Sequence, residues 1–410
     1  MFKSDSVWEF KISDKIKFGV DAVKELGSDL KSFPGEKIII ITDQGIKKSG
    51  ILDYITDIIK DFNFKIFEDV EADPSLENFK KAVDFAKGHN GEIFIGLGGG
   101  SPIDVAKVAS IIVKYGGNVE EYIAPPIGKG KQIIGSGYPM IAITTTSGTA
   151  SEVSPAAVLT LTDKNLKVGI ASQMQRPNLA IIDPLLTVSA PPNITASTGI
   201  DALCHAIEAY TTKEYWHKPK LKDPKDRPIY GGKTVFTDLF AEKAIELIAN
   251  NLREAYNNGE NIEARTNMAL ASLMAGIAFT NAGLGAVHAM SFPLGGKFHV
   301  PHGVANAILL PMVMEFNAKS NFEPFKKVAE LMGECIEGIS DREAALKSAK
   351  AVKELCQDIR IPKMSKFGVT EDDLPQMAVD TMKIQRLLSG NPRKATEEDI
   401  LLIFKNAFSG

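Results

Sequence analysis

An α/β amino-terminal half joined to an all-α carboxy-terminal half is the fold class this sequence predicts, and three observations predict it. Up to about residue 186, short β-branched runs alternate with amphipathic segments, as parallel α/β units do. After Asp183-Pro184 the alternation stops, and Gly, Ala, Met and Leu recur at helical spacing without convincing strands. At 410 residues the chain exceeds one average core, so two domains are expected, 1–186 and 187–410.

Ile38-Ile-Ile-Ile41 is a continuous β-branched run of the kind buried on both faces of a parallel sheet, and it ends at Thr42-Asp43. Phe64–Phe67 alternates more weakly. Ser75 is placed to cap an amphipathic helix running to Lys87 and stopping at Gly88. Ile93–Ile95 reads as a third strand leading into Gly96-Leu-Gly-Gly-Gly-Ser101, with two more strands at Ile141–Ile143 and Leu179–Ile182. In the second half the periodicity predicts helices over 199–210, 235–256, 262–281, 302–318, 323–333 and 341–358. Between the first two of these, Lys213–Lys233 holds three prolines, two glycines and eight basic residues counting His217, and reads as a loop excursion.

Composition narrows the function classes. With 44% hydrophobic and 24% charged residues and a formal charge of -4, the chain lacks the basic stripe of a nucleic-acid binder and the bias of a disordered one. Its three cysteines, Cys204, Cys335 and Cys356, stand at unrelated spacings and predict free thiols in a reducing compartment. The first ten residues mix charges with aromatics and contain no signal-like apolar run, and no apolar stretch reaches the ~18 residues of a membrane span. A cytoplasmic protein without membrane or nucleic-acid partners is therefore expected.

Gly98-Gly-Gly-Ser-Pro-Ile-Asp-Val-Ala-Lys107 follows a strand and opens a helix, with Ser101 as the expected N-cap, Pro102 at the first helical position and Asp104 three residues after the cap. Gly98, Gly99 and Gly100 let the backbone approach an anion, and the helix start supplies amide groups and dipole for a pyrophosphate. A glycine triplet alone is equally compatible with a tight turn. Asp43, at the end of an early strand, is suited to accept hydrogen bonds from a ribose 2′-hydroxyl and to repel a 2′-phosphate, which favours NAD over NADP, although alone it reads as a turn residue. Thr144-Thr-Thr-Ser-Gly-Thr-Ala-Ser-Glu-Val153 is a second, hydroxyl-rich turn able to serve phosphate or nicotinamide, or simply an exposed loop. The spacing does not match Gly-x-Gly-x-x-Gly.

The helical pattern Gly199–Tyr210 carries Asp201 and His205 one turn apart on one face. His288–His302 offers three histidines in fifteen residues, and four of the six histidines of the chain lie in these two segments. An unpaired carboxylate among Ala, Leu and Ile would be costly, so Asp201, His205, His288 and His302 are read as ligands of one divalent metal. Three imidazoles and a carboxylate suit Fe²⁺ or Zn²⁺ and leave a position open for a substrate oxygen. Glu208 and His299 are candidates for supporting these ligands, each equally readable as packing or surface. Cys204 is expected to pack on the opposite helix face.

Together these stretches resemble the iron-containing (group III) alcohol dehydrogenase family along nearly the whole chain. The resemblance implies metal ligands at Asp201, His205, His288 and His302, with Fe²⁺ the family metal. It implies dinucleotide contacts at Asp43, Gly98, Gly99, Gly100, Ser101, Asp104, Thr145, Thr146, Thr149 and Lys167, and a substrate-channel residue at Phe279. It also implies a nucleotide-binding α/β domain and a helical domain in the dehydroquinate synthase-like arrangement, an active site in the cleft between them, and at least a homodimer. Many members carry a histidine four residues after the third ligand, thought to assist proton movement. This chain has Phe292 there, facing the substrate, and His299 or a water chain is the expected substitute. Ala150 stands where many members have glycine, with little effect expected. The implied activity is NAD(H)-dependent interconversion of a primary alcohol and an aldehyde. Phe292 and Asp226-Arg-Pro-Ile-Tyr-Gly231 look similar to the hydroxyacid–oxoacid transhydrogenase branch, whose members retain NAD, and this is the alternative. A dehydroquinate synthase-type lyase is disfavoured by the ligand pattern.

Overall fold

The computed structural model describes residues 7–125, 127–164, 166–218 and 223–410, so the start of the amino-terminal stretch and residues 219–222 of the basic excursion lie outside the described residues. The chain divides into two compact units. One is Lys11–Ala190, and in the other the segment ending at Phe10 joins Pro191–Gly410. Aromatic packing explains that union: the Trp8 ring lies 5.3 Å from Phe236, and Phe10 stacks 5.9 Å from Phe240.

The first unit is built on a six-stranded sheet, with a separate two-stranded hairpin. Its strands are β1 (Lys15–Phe18), β2 (Lys37–Ile41), β3 (Asn63–Phe67), β4 (Ile93–Gly98), β5 (Met140–Thr144), β6 (Ala156–Leu161), β7 (Leu166–Ala171) and β8 (Leu179–Ile182). The large sheet has the order β1-β8-β5-β4-β2-β3, and every pairing in it is parallel. Successive side chains of the isoleucine run feed two cores. Ile38 and Ile40 join Leu26, Ile55 and Ile95 on one face, while Ile39 and Ile41 join Phe79, Phe94 and Ile103 on the other. A run buried on both faces gains by being apolar throughout, and this is why the sequence signal was continuous rather than alternating.

Ser75 caps the Leu76–Gly88 helix as expected, its Oγ accepting from the Asn78 amide at 3.1 Å. Two features escaped the periodicity. Short, half-exposed β1 has a weak pattern, and β6–β7 is an antiparallel hairpin set apart from the main sheet.

The strand order fixes where a ligand can bind. From β2 the chain moves outward to β3, then returns across β2 to β4 and continues to β5, so the connections leaving β2 and β4 run in opposite directions. In open parallel sheets the crevice at the carboxyl ends of such a strand pair is the customary ligand position. Asp43 and Gly98–Ser101 stand there.

The second unit is helical. Pro192–Thr211 runs through its middle, packed by Val235–Asn257, Ile262–Ala282 and His302–Ala318, and every residue from 199 to 212 is buried. The helices expected over 235–256, 262–281, 302–318, 323–333 and 341–358 are present as Val235–Asn257, Ile262–Ala282, His302–Ala318, Phe322–Leu331 and Asp341–Asp358. Ala286–Phe298 was not anticipated, because Pro293 and the Gly295-Gly296 pair mask its pattern. Among the described residues no single helix is long and apolar enough to cross a membrane. Ile262–Ala282 and Ala286–Phe298, bent by 104°, meet that length and composition only together.

Candidate metal centre and nucleotide turns

Asp201, His205, His288 and His302 converge. One ligand-type atom from each lies within 4.8 Å of the others, and all but His302 are buried. Two glycines make the convergence possible. A Cβ on Gly303 would lie 2.2 Å from the Ser197 carbonyl oxygen and 3.3 Å from Asp201 Cβ, so the helix begun by His302 meets the Asp201 helix backbone to backbone. His302 Nε2 is thereby brought 3.7 Å from Asp201 Oδ1. A Cβ on Gly285 would sit 3.1 Å from Glu208 Oε1, and the bare backbone lets the following helix start against that carboxylate.

Glu208 does two things at that start. Its Oε1 accepts the Val287 amide at 2.7 Å, and its Oε2 lies 2.6 Å from His288 Nδ1. A carboxylate on Nδ1 fixes the ring and leaves Nε2 directed at the cluster, as with metal-bound histidines generally. Phe279 stacks flat on His205 at 4.2 Å and 15°, immobilising the second imidazole.

Burial alone would push the Asp201 carboxyl up, but the surrounding imidazoles and the Asn306 amide more than offset it and hold it below the usual range. Asn306 is fully buried and, four residues after His302, shares that helix face, a spacing that could have marked it in the sequence. Its Nδ2 donates to Asp201 Oδ1 at 2.7 Å and lies 3.2 Å from both His288 Nε2 and His302 Nε2. Asn306 Oδ1 has no partner. Three imidazoles and one carboxylate converging on one point fit a divalent cation of the Fe²⁺ or Zn²⁺ class.

Cys204 departs from its expected position. Its Sγ is 3.8 Å from His288 Nδ1, on the Glu208 side, because i+3 lies only about 60° from i around a helix of 3.6 residues per turn. Burial pushes its thiol well up, which disfavours the thiolate a metal would need. His299 is exposed at the carboxyl end of Ala286–Phe298, with φ +53°, outside the four-residue cluster. Phe292 is half-buried one turn after His288.

In the α/β unit the helix after the glycine turn is Gly100–Tyr115, and Gly99, not Ser101, is its N-cap, with no side chain closing the first turn. A glycine can take this cap because the strand ends with Gly98 at φ +144°, a conformation other residues rarely adopt. Asp43 Oδ1 caps Gln44–Lys48, accepting from the Gly45 and Ile46 amides at 2.8 and 3.0 Å. A Cβ on Gly98 would lie 3.3 Å from its other oxygen. The hydroxyl-rich turn lies against the glycines: a Cβ on Gly100 would fall 3.0 Å from Thr149 Cγ2, and one on Gly99 3.5 Å from Thr146 Oγ1. Thr145 Oγ1 and Thr146 Oγ1 are buried without a partner. Unused amides, close-approach glycines and orphaned hydroxyls fit a phosphate-bearing ligand.

Two expected contacts are engaged elsewhere. Asp104 receives Lys107 and Ser151 on Oδ1 and the Val158 amide on Oδ2, and Lys167 pairs with Asp73 at 2.6 Å. Ala150 corrects the expectation of little effect. It sits in the left-handed region at φ +51°, where an alanine costs roughly 1–2 kcal/mol that glycine would avoid.

The profile of iron-containing alcohol dehydrogenase matches residues 13–184, and that of the Fe-containing alcohol dehydrogenase family, C-terminal, matches 232–408. The chain is 39% identical over 396 residues to the 1,3-propanediol dehydrogenase of Klebsiella pneumoniae, covering 95% of this chain and 96% of that one. It is 35% identical to the NAD-dependent methanol dehydrogenase of Bacillus methanolicus, covering 95% and 97%, and 32% identical to the mitochondrial hydroxyacid-oxoacid transhydrogenase of Xenopus tropicalis, covering 98% and 91%. A crystal structure of 1,3-propanediol oxidoreductase superposes with TM-score 0.89 at 38% identity, covering 98% and 100%. A parallel-sheet unit followed by a helical one is thus the architecture of a known class of oxidoreductases. The chain belongs to the iron-containing alcohol dehydrogenase family.

Proposed function

We propose that this chain is a metal-dependent NAD(H) alcohol dehydrogenase, or aldehyde reductase in reverse, acting on a primary alcohol, and that Asp201, His205, His288 and His302 hold Fe²⁺, with Zn²⁺ an alternative occupant. The observation that carries the reading is the convergence of these four side chains, three of them buried, with one ligand-type atom of each within 4.8 Å of the others. The bound metal would supply Lewis acidity toward the substrate hydroxyl, and the nicotinamide would accept the hydride. The chain's own residues orient and exclude water. Glu208 and Phe279 hold the His288 and His205 rings, and the buried helix face keeps the pocket dry. Asp43, Gly98–Ser101, Thr145, Thr146 and Thr149 are proposed to hold the dinucleotide, with NAD favoured over NADP by the Asp43 carboxylate. His299, exposed at the end of Ala286–Phe298, is proposed to exchange the proton with solvent. The protein is proposed to work in the cytoplasm and at least as a homodimer.

His288→Ala should abolish both metal content and alcohol oxidation while leaving the far-ultraviolet circular dichroism unchanged. Full activity in a variant free of metal would overturn the assignment. A second reading, transhydrogenation between a hydroxy acid and an oxo acid with retained NAD, is favoured by one feature. The stretch 226–231 docks on the end of the helix carrying Phe279, with the Gly231 amide donating to Asn281 O at 2.7 Å. Turnover that needs an oxo acid and no free cofactor would select it, and steady NADH production from a simple alcohol would reject it.

A further inference from the structure

Lys107 is fully buried in the α/β unit, and its three ammonium hydrogens have three acceptors: Ser151 Oγ at 2.7 Å, Ala156 O at 2.9 Å and Asp104 Oδ1 at 3.1 Å. Lysine is almost never found so placed unless fully paired. Burial lowers its pKa, and the Asp104 charge works against that. The partners come from separate segments. Lys107 and Asp104 lie on the helix that opens at the glycine turn, Ser151 ends the hydroxyl-rich turn, and Ala156 and Val158 begin β6. Ser151 donates to Asp104 and passes its own amide to Thr149 Oγ1 at 3.3 Å, so the brace reaches the threonine that packs on Gly100. Between Thr149 and Ser151 stands Ala150 in its left-handed conformation, which needs an external hold to persist.

We propose that Lys107, through Asp104 and Ser151, is a positioning residue for the dinucleotide. It locks the hydroxyl-rich turn against the glycine turn, so that cofactor affinity depends on a side chain that never touches the cofactor. The inference rests on the reading that these two turns hold NAD. Without the ammonium, Asp104 and Ser151 lose their common partner, Ala150 can relax, and Thr145, Thr146 and Thr149 lose their fixed distance from Gly99 and Gly100.

The test uses the full-length, metal-loaded protein. NADH affinity is read by fluorescence titration, and KM for NAD, kcat, metal content and melting temperature are measured alongside. Lys107→Met should raise the NADH dissociation constant and KM for NAD about tenfold or more, with kcat at saturating NAD within about twofold and metal content unchanged, the pattern of lost uniform binding. Ser151→Ala, a milder cut in the same brace, should move the same two quantities in the same direction, and it decides the matter if Lys107→Met does not fold. Val83→Ala, a core truncation in the same unit, should lower the melting temperature without changing NADH affinity. NADH binding by Lys107→Met or Ser151→Ala within twofold of wild type would overturn the proposal. No NADH binding by the wild type would instead overturn the assignment of the two turns.

Discussion

Replacing Glu152 by Gln should make the protein more stable at pH 8 than the wild type and leave it equally stable near pH 4.5. Glu152 follows Ser151 in the same segment, is 2% exposed, and has one carboxylate oxygen, Oε2, without a partner. Burial pushes its pKa from 4.5 up to about 7, with a backbone hydrogen bond and the Lys107 charge only partly opposing. Below 4.5 the folded and unfolded chains both carry the proton. Between 4.5 and about 7 the unfolded chain gives it up while the folded chain keeps it, so stability falls as pH rises, and above about 7 the loss is complete. At 1.36 kcal/mol per pH unit the loss is roughly 3 kcal/mol. For a unit of this size that corresponds to about 6–12 °C in melting temperature. Glutamine cannot ionise, and its buried amide is no better paired than the protonated acid it replaces. The assay is thermal unfolding of both proteins at a series of pH values, in which titrating groups that do not interact with Glu152 cancel in the difference. A difference that stays constant from pH 5 to 8 would refute the reasoning.

Other substitutions probe the metal pocket and the strained turn. Glu208→Gln should weaken metal binding by about 10–100-fold through loss of the carboxylate on His288 Nδ1, read by chelator competition. Asn306→Ala should lower metal affinity about tenfold, because Asp201 loses its amide donor. Asn306→Asp should instead bind the metal more tightly than Asn306→Ala, because a second carboxylate beside the first attracts a divalent cation, and unchanged affinity in both would remove Asn306 from the site. Ala150→Gly should raise the melting temperature by a few degrees, since the relief of roughly 1–2 kcal/mol of left-handed strain exceeds the ~0.5–1 kcal/mol entropic cost of glycine. A lower melting temperature would show that the turn holds alanine without strain.

Local chemistry was legible where it repeats along the chain. Ile38–Ile41 announced a doubly buried strand, Ser75 announced its helix, and Asp201 with His205 announced a shared helix face, because each signal depends on neighbours within one or two turns. Ser101 misled as a cap for the opposite reason. Its capping pattern is satisfied in sequence, but the positive φ of Gly98 lets the helix begin at Gly100 under a Gly99 cap, and Asp104 is drawn away to Ser151 and Lys107.

The sequence by itself determined the family, the central strands and most of the long helices, and the chemical kinds gathered for the candidate site: three imidazoles, a carboxylate, a glycine turn and a threonine turn. Only the tertiary structure decided how they are held. Glu208 on His288, Asn306 beneath Asp201, Cys204 on the near side, and Lys107 bracing Ser151 each depend on contacts between segments distant in sequence. Such contacts are set by how closely backbones approach at Gly285, Gly303 and Gly100, a distance that no periodicity records.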